Sequence, residues 1–162
     1  FQFITPRTVE KGTNASLWDN IALTDKEQYV IDALRIIEQG IERIAFISED
    51  EFPRVRNAVV KISNNTSIVP LKSMGDGINR ILTIVLALVN ADNSYLLIDE
   101  FENGLHYSVQ EKIWEMIFLL SDKLHIQVFA TTHSNDCIQA FAKVVHEKHS
   151  GVGTVYRLDN IE

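Results

Sequence analysis

Tyr95-Leu96-Leu97-Ile98-Asp99-Glu100 is an apolar run that stops abruptly in two carboxylates. One crossover later, Phe129-Ala130-Thr131-Thr132-His133 ends a second run in Thr-Thr-His. Burying an unpaired charge costs several kcal/mol, roughly, so the first strand must end where its carboxylates meet water, a metal or a cation. Two such strands side by side would set an imidazole near the acids. That arrangement suits magnesium-dependent phosphate chemistry and raises the question of what would hold the phosphate.

Around these runs the pattern alternates. A helix over Gly75–Asn90, a strand over Tyr95–Asp99, a helix over Ser108–Leu120, a strand over Ile126–Thr131, a helix over Asn135–Val145 and a strand over Thr154–Leu158 are expected. Alternation of this kind predicts an α/β fold, a parallel sheet flanked by helices with right-handed crossovers. The near-continuous apolar runs Leu96-Leu97-Ile98 and Val128-Phe129-Ala130 are what strands buried on both faces require. Ser108-Val109-Gln110-Glu111 reads as a capping box that fixes the start of its helix.

The N-terminal part is a less regular, mixed α+β segment. Phe1 to Thr5 reads as a strand stopped by Pro6, and the polar stretch to Asn20 has turn composition at Lys11-Gly12-Thr13-Asn14. Thr24-Asp25-Lys26-Glu27 reads as a capping box opening a helix that ends at Gly40. Arg43–Ser48 and Val55–Ile62 read as strands, pieces of a sheet edge in antiparallel pairing. The acidic Glu49-Asp50-Glu51 reads as a solvated loop and Ser63-Asn64-Asn65-Thr66-Ser67 as a turn. The expected division is residues 1–68, preceding the chemistry, and 69–162, carrying it.

Bulk properties bound the partners. With 162 residues, 46% apolar and 23% charged, the chain is long enough for a core and ordinary in composition. A net charge of -7 argues against a broad nucleic-acid or anionic-membrane surface on this segment. A single cysteine, Cys137, excludes an internal disulfide and fits a reducing, cytoplasmic compartment. No stretch approaches the roughly 18 apolar residues of a membrane span. Ile78–Val89 is the longest candidate, interrupted by Asn79 and Arg80, and reads as a buried helix. Opening on Phe1, with a strand entered midway, the chain reads as a fragment.

Ligands of open parallel sheets bind beyond the carboxyl ends of the strands, where Asp99, Glu100 and His133 fall. Successive strand residues point to opposite sides, so Asp99 and Glu100 take different tasks: one holds a metal, the next reaches toward an attacking water. His133 could hydrogen-bond a transferred phosphoryl group. A plain strand-to-loop transition produces the same acidic pair, and a lone histidine there is often only a polar loop residue. Leu71-Lys72-Ser73-Met74-Gly75-Asp76-Gly77 leads straight into an apolar helix, whose first amides make a ready anion site. Ser73 as a simple helix cap, with Asp76 as its partner, is the competing reading.

The order of these elements resembles a known family. Ser73-Met74-Gly75-Asp76-Gly77 resembles a divergent ABC signature motif, Leu96-Leu97-Ile98-Asp99-Glu100 a Walker B strand with its following glutamate, and Phe101-Glu102-Asn103-Gly104-Leu105-His106 the D-loop. Thr132-His133-Ser134 resembles the switch-histidine motif. The set is similar to the soluble ABC-like AAA-type ATPases related to RecF, SMC and the overcoming-lysogenization-defect proteins, over Val69–Ala142.

The resemblance implies ATP and Mg2+ as cofactors, with Asp99 organising the magnesium shell through water, Glu100 polarising the hydrolytic water and His133 contacting the γ-phosphate. Ser73, Gly75 and Gly77 would approach the γ-phosphate of a nucleotide held by a second subunit, and Asn103, Gly104 and His106 would line the dimer interface.

Three departures stand out. Met74 replaces the signature's first glycine, Asp76 replaces its last residue, and His106 replaces the D-loop aspartate. No GxxxxGK[ST] loop occurs in the 162 residues. Since the family carries that Walker A loop N-terminal to the other motifs, the chain reads as the C-terminal half of an ATPase head. It would act with a homodimer mate or a partner chain supplying Walker A and would turn over little ATP alone. Two other readings compete: a non-catalytic module that docks on a partner ATPase, and a metal-dependent hydrolase using Asp99, Glu100 and His133 directly.

Overall fold

The computed structural model describes residues 1–6, 13–49, 52–63, 65–148 and 152–158. A parallel sheet is built from β1 (Gln2–Ile4), β5 (Tyr95–Ile98) and β6 (Gln127–Ala130), in the order β1-β5-β6. Ile4, Ile98 and Ala130 stand in register, so the three strands end level with one another. Asp99 and Thr131 follow directly, at the edge where a parallel sheet presents its ligand-binding rim.

A second, antiparallel sheet joins β2 (Ile41–Glu49), β3 (Phe52–Ile62) and β4 (Ile68–Pro70). Arg43–Ser48 and Val55–Ile62, expected as antiparallel pieces of a sheet edge, do pair antiparallel with each other, and β4 completes a sheet separate from the parallel one. Between the sheets runs α3 (Asp76–Asn90), which packs against β1, α1 (Thr13–Asp19), α2 (Lys26–Leu34) and α4 (Tyr107–Lys123). A helix apolar all round has to be buried all round. Ile78 and every residue from Arg80 to Val89 are accordingly buried.

Both connections within the parallel sheet run the same way across it. Right-handed crossovers in one direction place their helices on one face. Ile4, Leu96 and Ile98 point to that face and are buried. On the other face Phe3 is 52%, Leu97 37% and Phe129 51% exposed. The expectation of strands buried on both faces therefore fails among the described residues, because covering the second face needs a reversal of winding direction.

Several local expectations also change. Thr13–Asp19, within the polar stretch whose Lys11-Gly12-Thr13-Asn14 has turn composition, is helix α1: Ala15 and Trp18 are buried, and the Asn14 amide donates to Thr83 Oγ1 at 3.0 Å. Lys11 and Gly12 lie outside the described residues, as do Asp50, Glu51 and Asn64. Helix α2 ends at Leu34 rather than Gly40. Gly40 serves a close approach instead, since a Cβ there would stand 2.8 Å from the Ile62 side chain.

The Thr24 box is shifted. Thr24 Oγ1 accepts from the Lys26 amide at 3.2 Å, while Glu27 accepts from Leu23 N–H at 2.7 Å. Helix α4 begins one residue before Ser108, capped by His106, whose Nδ1 accepts from the Ser108 amide at 3.3 Å. Gln110 is buried and donates to the Leu105 carbonyl at 3.4 Å. Thr154–Leu158 forms no strand; Tyr156 and Leu158 are exposed and the segment pairs with no strand among the described residues. Trp114, Ile113 and Ile117 are core, with Trp114 stacked on Phe101 at 4.0 Å. Among the described residues no helix is long and apolar enough to cross a membrane.

Candidate active site at the ends of the parallel strands

Asp99 and Glu100 leave the end of β5 half-buried, and Thr131-Thr132-His133 leave the end of β6 beside them. The Thr131 hydroxyl joins the two strand ends. It donates to Asp99 Oδ1 at 2.7 Å and accepts from the Glu100 amide at 3.0 Å. Backbone bonds continue the connection, from Thr131 N–H to the Ile98 carbonyl and from Phe101 N–H to the Thr131 carbonyl, each at 2.9 Å. One Asp99 oxygen is thereby fixed, and the carboxylate has a single defined orientation.

Glu100 has φ 48, an uncommon conformation for a residue with a side chain. Asn103 stabilises the turn, its amide donating to the Glu100 carbonyl at 3.0 Å and its side chain to Glu100 Oε2 at 3.4 Å.

Three groups that hydrogen-bond within this site were not singled out in the sequence. Thr131 is one. Arg80 is another: although only 4% exposed, its guanidinium donates to the carbonyls of Thr5 (3.1 Å), Asp99 (3.2 Å) and Glu100 (3.1 Å). It thus ties the helix after the Ser73–Gly77 motif to the ends of β1 and β5. Burial pushes the Arg80 guanidinium below its usual basicity, opposed by the Glu100, Glu102 and Asp99 carboxylates. The signal available was the charge itself, an arginine inside an apolar helix, which demands buried partners. The third is Glu102, whose carboxylate accepts from Thr132 Oγ1 at 2.6 Å and from the His133 amide at 2.9 Å.

The Ser73–Gly77 motif lies on the same side. Ser73 sits in a 3-10 turn, Leu71–Met74, and donates to the Pro70 carbonyl at 2.7 Å. It therefore does not cap α3, whose cap position is Gly75 at φ 99, ψ 167. Only glycine adopts that backbone without strain. A Cβ at Gly77 would stand 3.3 Å from the Gly104 carbonyl, so the motif and the Asn103–Gly104 turn of one chain touch each other. His106, as the α4 cap, lies against the Tyr107 ring at 4.3 Å. His133 is exposed.

Among the described residues no three His, Cys, Asp or Glu side chains converge tightly enough to hold a metal ion by themselves. Magnesium commonly takes one or two carboxylates plus phosphate oxygens and waters. One oriented, half-buried carboxylate beside a hydroxyl fits that habit.

Comparison with known proteins accords with this geometry. A protein of Helicobacter pylori (strain ATCC 700392 / 26695) named ATP/GTP phosphatase is 31% identical over 118 residues, covering 71% of this chain; the chain spans 30% of that relative's length. Among solved structures, the SMC head bound to the C-winged helix domain of ScpA has TM-score 0.54 at 10% identity, covering 83% of this chain and 45% of its own. A structure from work on ATP-driven dimerization and DNA-stimulated activation of SMC ATPases has TM-score 0.52 at 11% identity, covering 79% and 78%. The SMC head domain from Thermotoga maritima has TM-score 0.50 at 13% identity, covering 85% and 46%. At such identities the likeness is one of fold. The family described as AAA ATPase domain matches residues 10–138, from the approach to α1 into α5 (Asn135–Lys148), and the chain belongs to that family.

Proposed function

We propose that this chain is the C-terminal half of an ATP-hydrolysing head that works by closing two heads on ATP. The observation that carries the proposal is the junction of β5 and β6, where Asp99, Glu100 and the His133 loop belong to one hydrogen-bonded unit. Asp99 would hold magnesium, through water, by the oxygen that Thr131 leaves free. Bound Mg2+ with ATP would supply charge neutralisation on the β- and γ-phosphate oxygens. Glu100 would orient and polarise the hydrolytic water, and His133 would donate to the γ-phosphate.

Ser73, Gly75 and Gly77 would meet the nucleotide of the opposing head, with Asn103, Gly104 and His106 at the interface. The contact between Gly77 and the Gly104 carbonyl supports this, because it sets both motifs on one surface. The assembly would be a homodimer, or would include a partner chain that supplies Walker A. The bare sheet face bearing Phe3, Leu97 and Phe129 supports a further layer packed there in the assembled head.

Mg-ATP hydrolysis by the full-length protein, with and without Glu100→Gln, tests the reading. Loss of a positioned base predicts a fall in kcat of about 10²- to 10⁴-fold with nucleotide binding retained. Unchanged turnover would sink it. A partner complex formed without nucleotide, and indifferent to Glu100→Gln, would favour the docking module instead.

A further inference from the structure

Glu102 lies two residues beyond the acidic pair and has no role in the reading above, yet it is the most heavily engaged carboxylate at the site. Its two oxygens divide their work. Oε2 accepts from the Thr132 hydroxyl at 2.6 Å and Oε1 from the His133 backbone amide at 2.9 Å. Thr132 Oγ1 in turn accepts from the Ser134 amide at 3.1 Å, and Ser134 Oγ accepts from the Cys137 amide at 3.3 Å, in the first turn of α5. Glu102 therefore grips the segment between β6 and α5 at two successive residues.

The other end of Glu102 is equally fixed. Its carbonyl accepts from Leu105 N–H at 2.9 Å, closing the turn that contains Asn103 and Gly104. Phe101, just before it, is buried against Trp114. Burial of the carboxyl works against its ionisation, but the bonds from Thr132 and His133 outweigh that and hold it below the usual glutamate range. The ionised form, which has only acceptors, matches the two donors it meets.

We infer that Glu102 is a positioning residue that couples the Asn103–Gly104 turn to the His133 backbone, so that a displacement of the turn moves the imidazole. The inference rests on the role proposed for His133. A residue that sets a reacting group's place can change rate by roughly 100-fold through a shift of about 1 Å, without altering substrate binding.

Two measurements test it. In the chain itself, the His133 amide is followed by NMR. Glu102→Ala is expected to move its resonance upfield and raise its hydrogen exchange at least tenfold relative to amides of α3, with Glu102→Gln intermediate. An unmoved His133 amide would overturn the coupling whether or not the protein hydrolyses ATP. In the full-length protein, Glu102→Ala is expected to lower kcat about 10- to 100-fold with KM changed less than twofold. Glu102→Gln should recover most of the rate, and the double variant with His133→Ala should be no slower than His133→Ala alone. Additive losses, or a loss confined to KM, would overturn the positioning role. A wild-type protein without ATP turnover would instead overturn the proposed function, leaving the amide result to decide the coupling.

Discussion

Glu100, Gly75 and Gly104 have backbones that leave the common regions next to the proposed chemistry, and the first two carry the larger consequences. At Glu100, a left-handed conformation with a side chain costs roughly 1–2 kcal/mol. Thr131 holds its amide, while Arg80 and Asn103 donate to its carbonyl, so the position is over-determined. At Gly75 a Cβ would meet nothing within 4 Å, so space imposes no limit and the φ of 99 imposes the whole penalty. Gly75→Ala is therefore expected to destabilise the fold by about 1–3 kcal/mol, read as a lower urea midpoint with an unchanged m-value. The glycine was visible in the sequence; the reason for it was not, because φ belongs to the folded backbone.

Helix α3 connects the two halves of the site. Its first residues follow Gly75, its next turn carries Arg80, and Arg80 reaches the ends of β1 and β5. Arg80→Met removes three charge-assisted bonds, to the carbonyls of Thr5, Asp99 and Glu100, of which the Glu100 carbonyl keeps the Asn103 donor, but also removes a costly buried charge. The first effect should win, with a net loss of about 2–4 kcal/mol in chemical denaturation. That the helix is buried was legible from its apolar run, and so were the alternation from α3 to α5 and the acidic strand end. Helix α1 was missed because the turn composition at Lys11-Gly12-Thr13-Asn14 outweighed the Ala15–Trp18 spacing that buries it. The His106 cap was missed because a serine followed by Glu111 at capping-box spacing suggested a start one residue later.

Across the whole molecule, stability and assembly draw on different surfaces. The core joins Ile4, Val30, Leu34, Ile41, Leu86, Leu96 and Ile113 in one cluster, drawing both sheets together around α3. Leu86→Ala should cost about 2–5 kcal/mol. Leu97→Ala, on the bare face of the central strand, should cost much less, with under about 1 kcal/mol expected in the same urea titration. Equal losses would mean that the bare face is covered in solution.

What the sequence by itself determined is the local chemistry. An apolar strand must end at its charged residues, an all-apolar helix must be buried, and parallel strands in alternation must carry their polar ends on one rim. Those constraints act over a few residues and can be read from spacing. Only the tertiary structure decided that Thr131 fixes Asp99, that Arg80 reaches the Asp99 and Glu100 carbonyls and that Glu102 holds the His133 loop. These bonds join residues 19 to 32 positions apart. Which donor meets which acceptor across that separation is set by strand register and helix packing, and neither is written in any one segment.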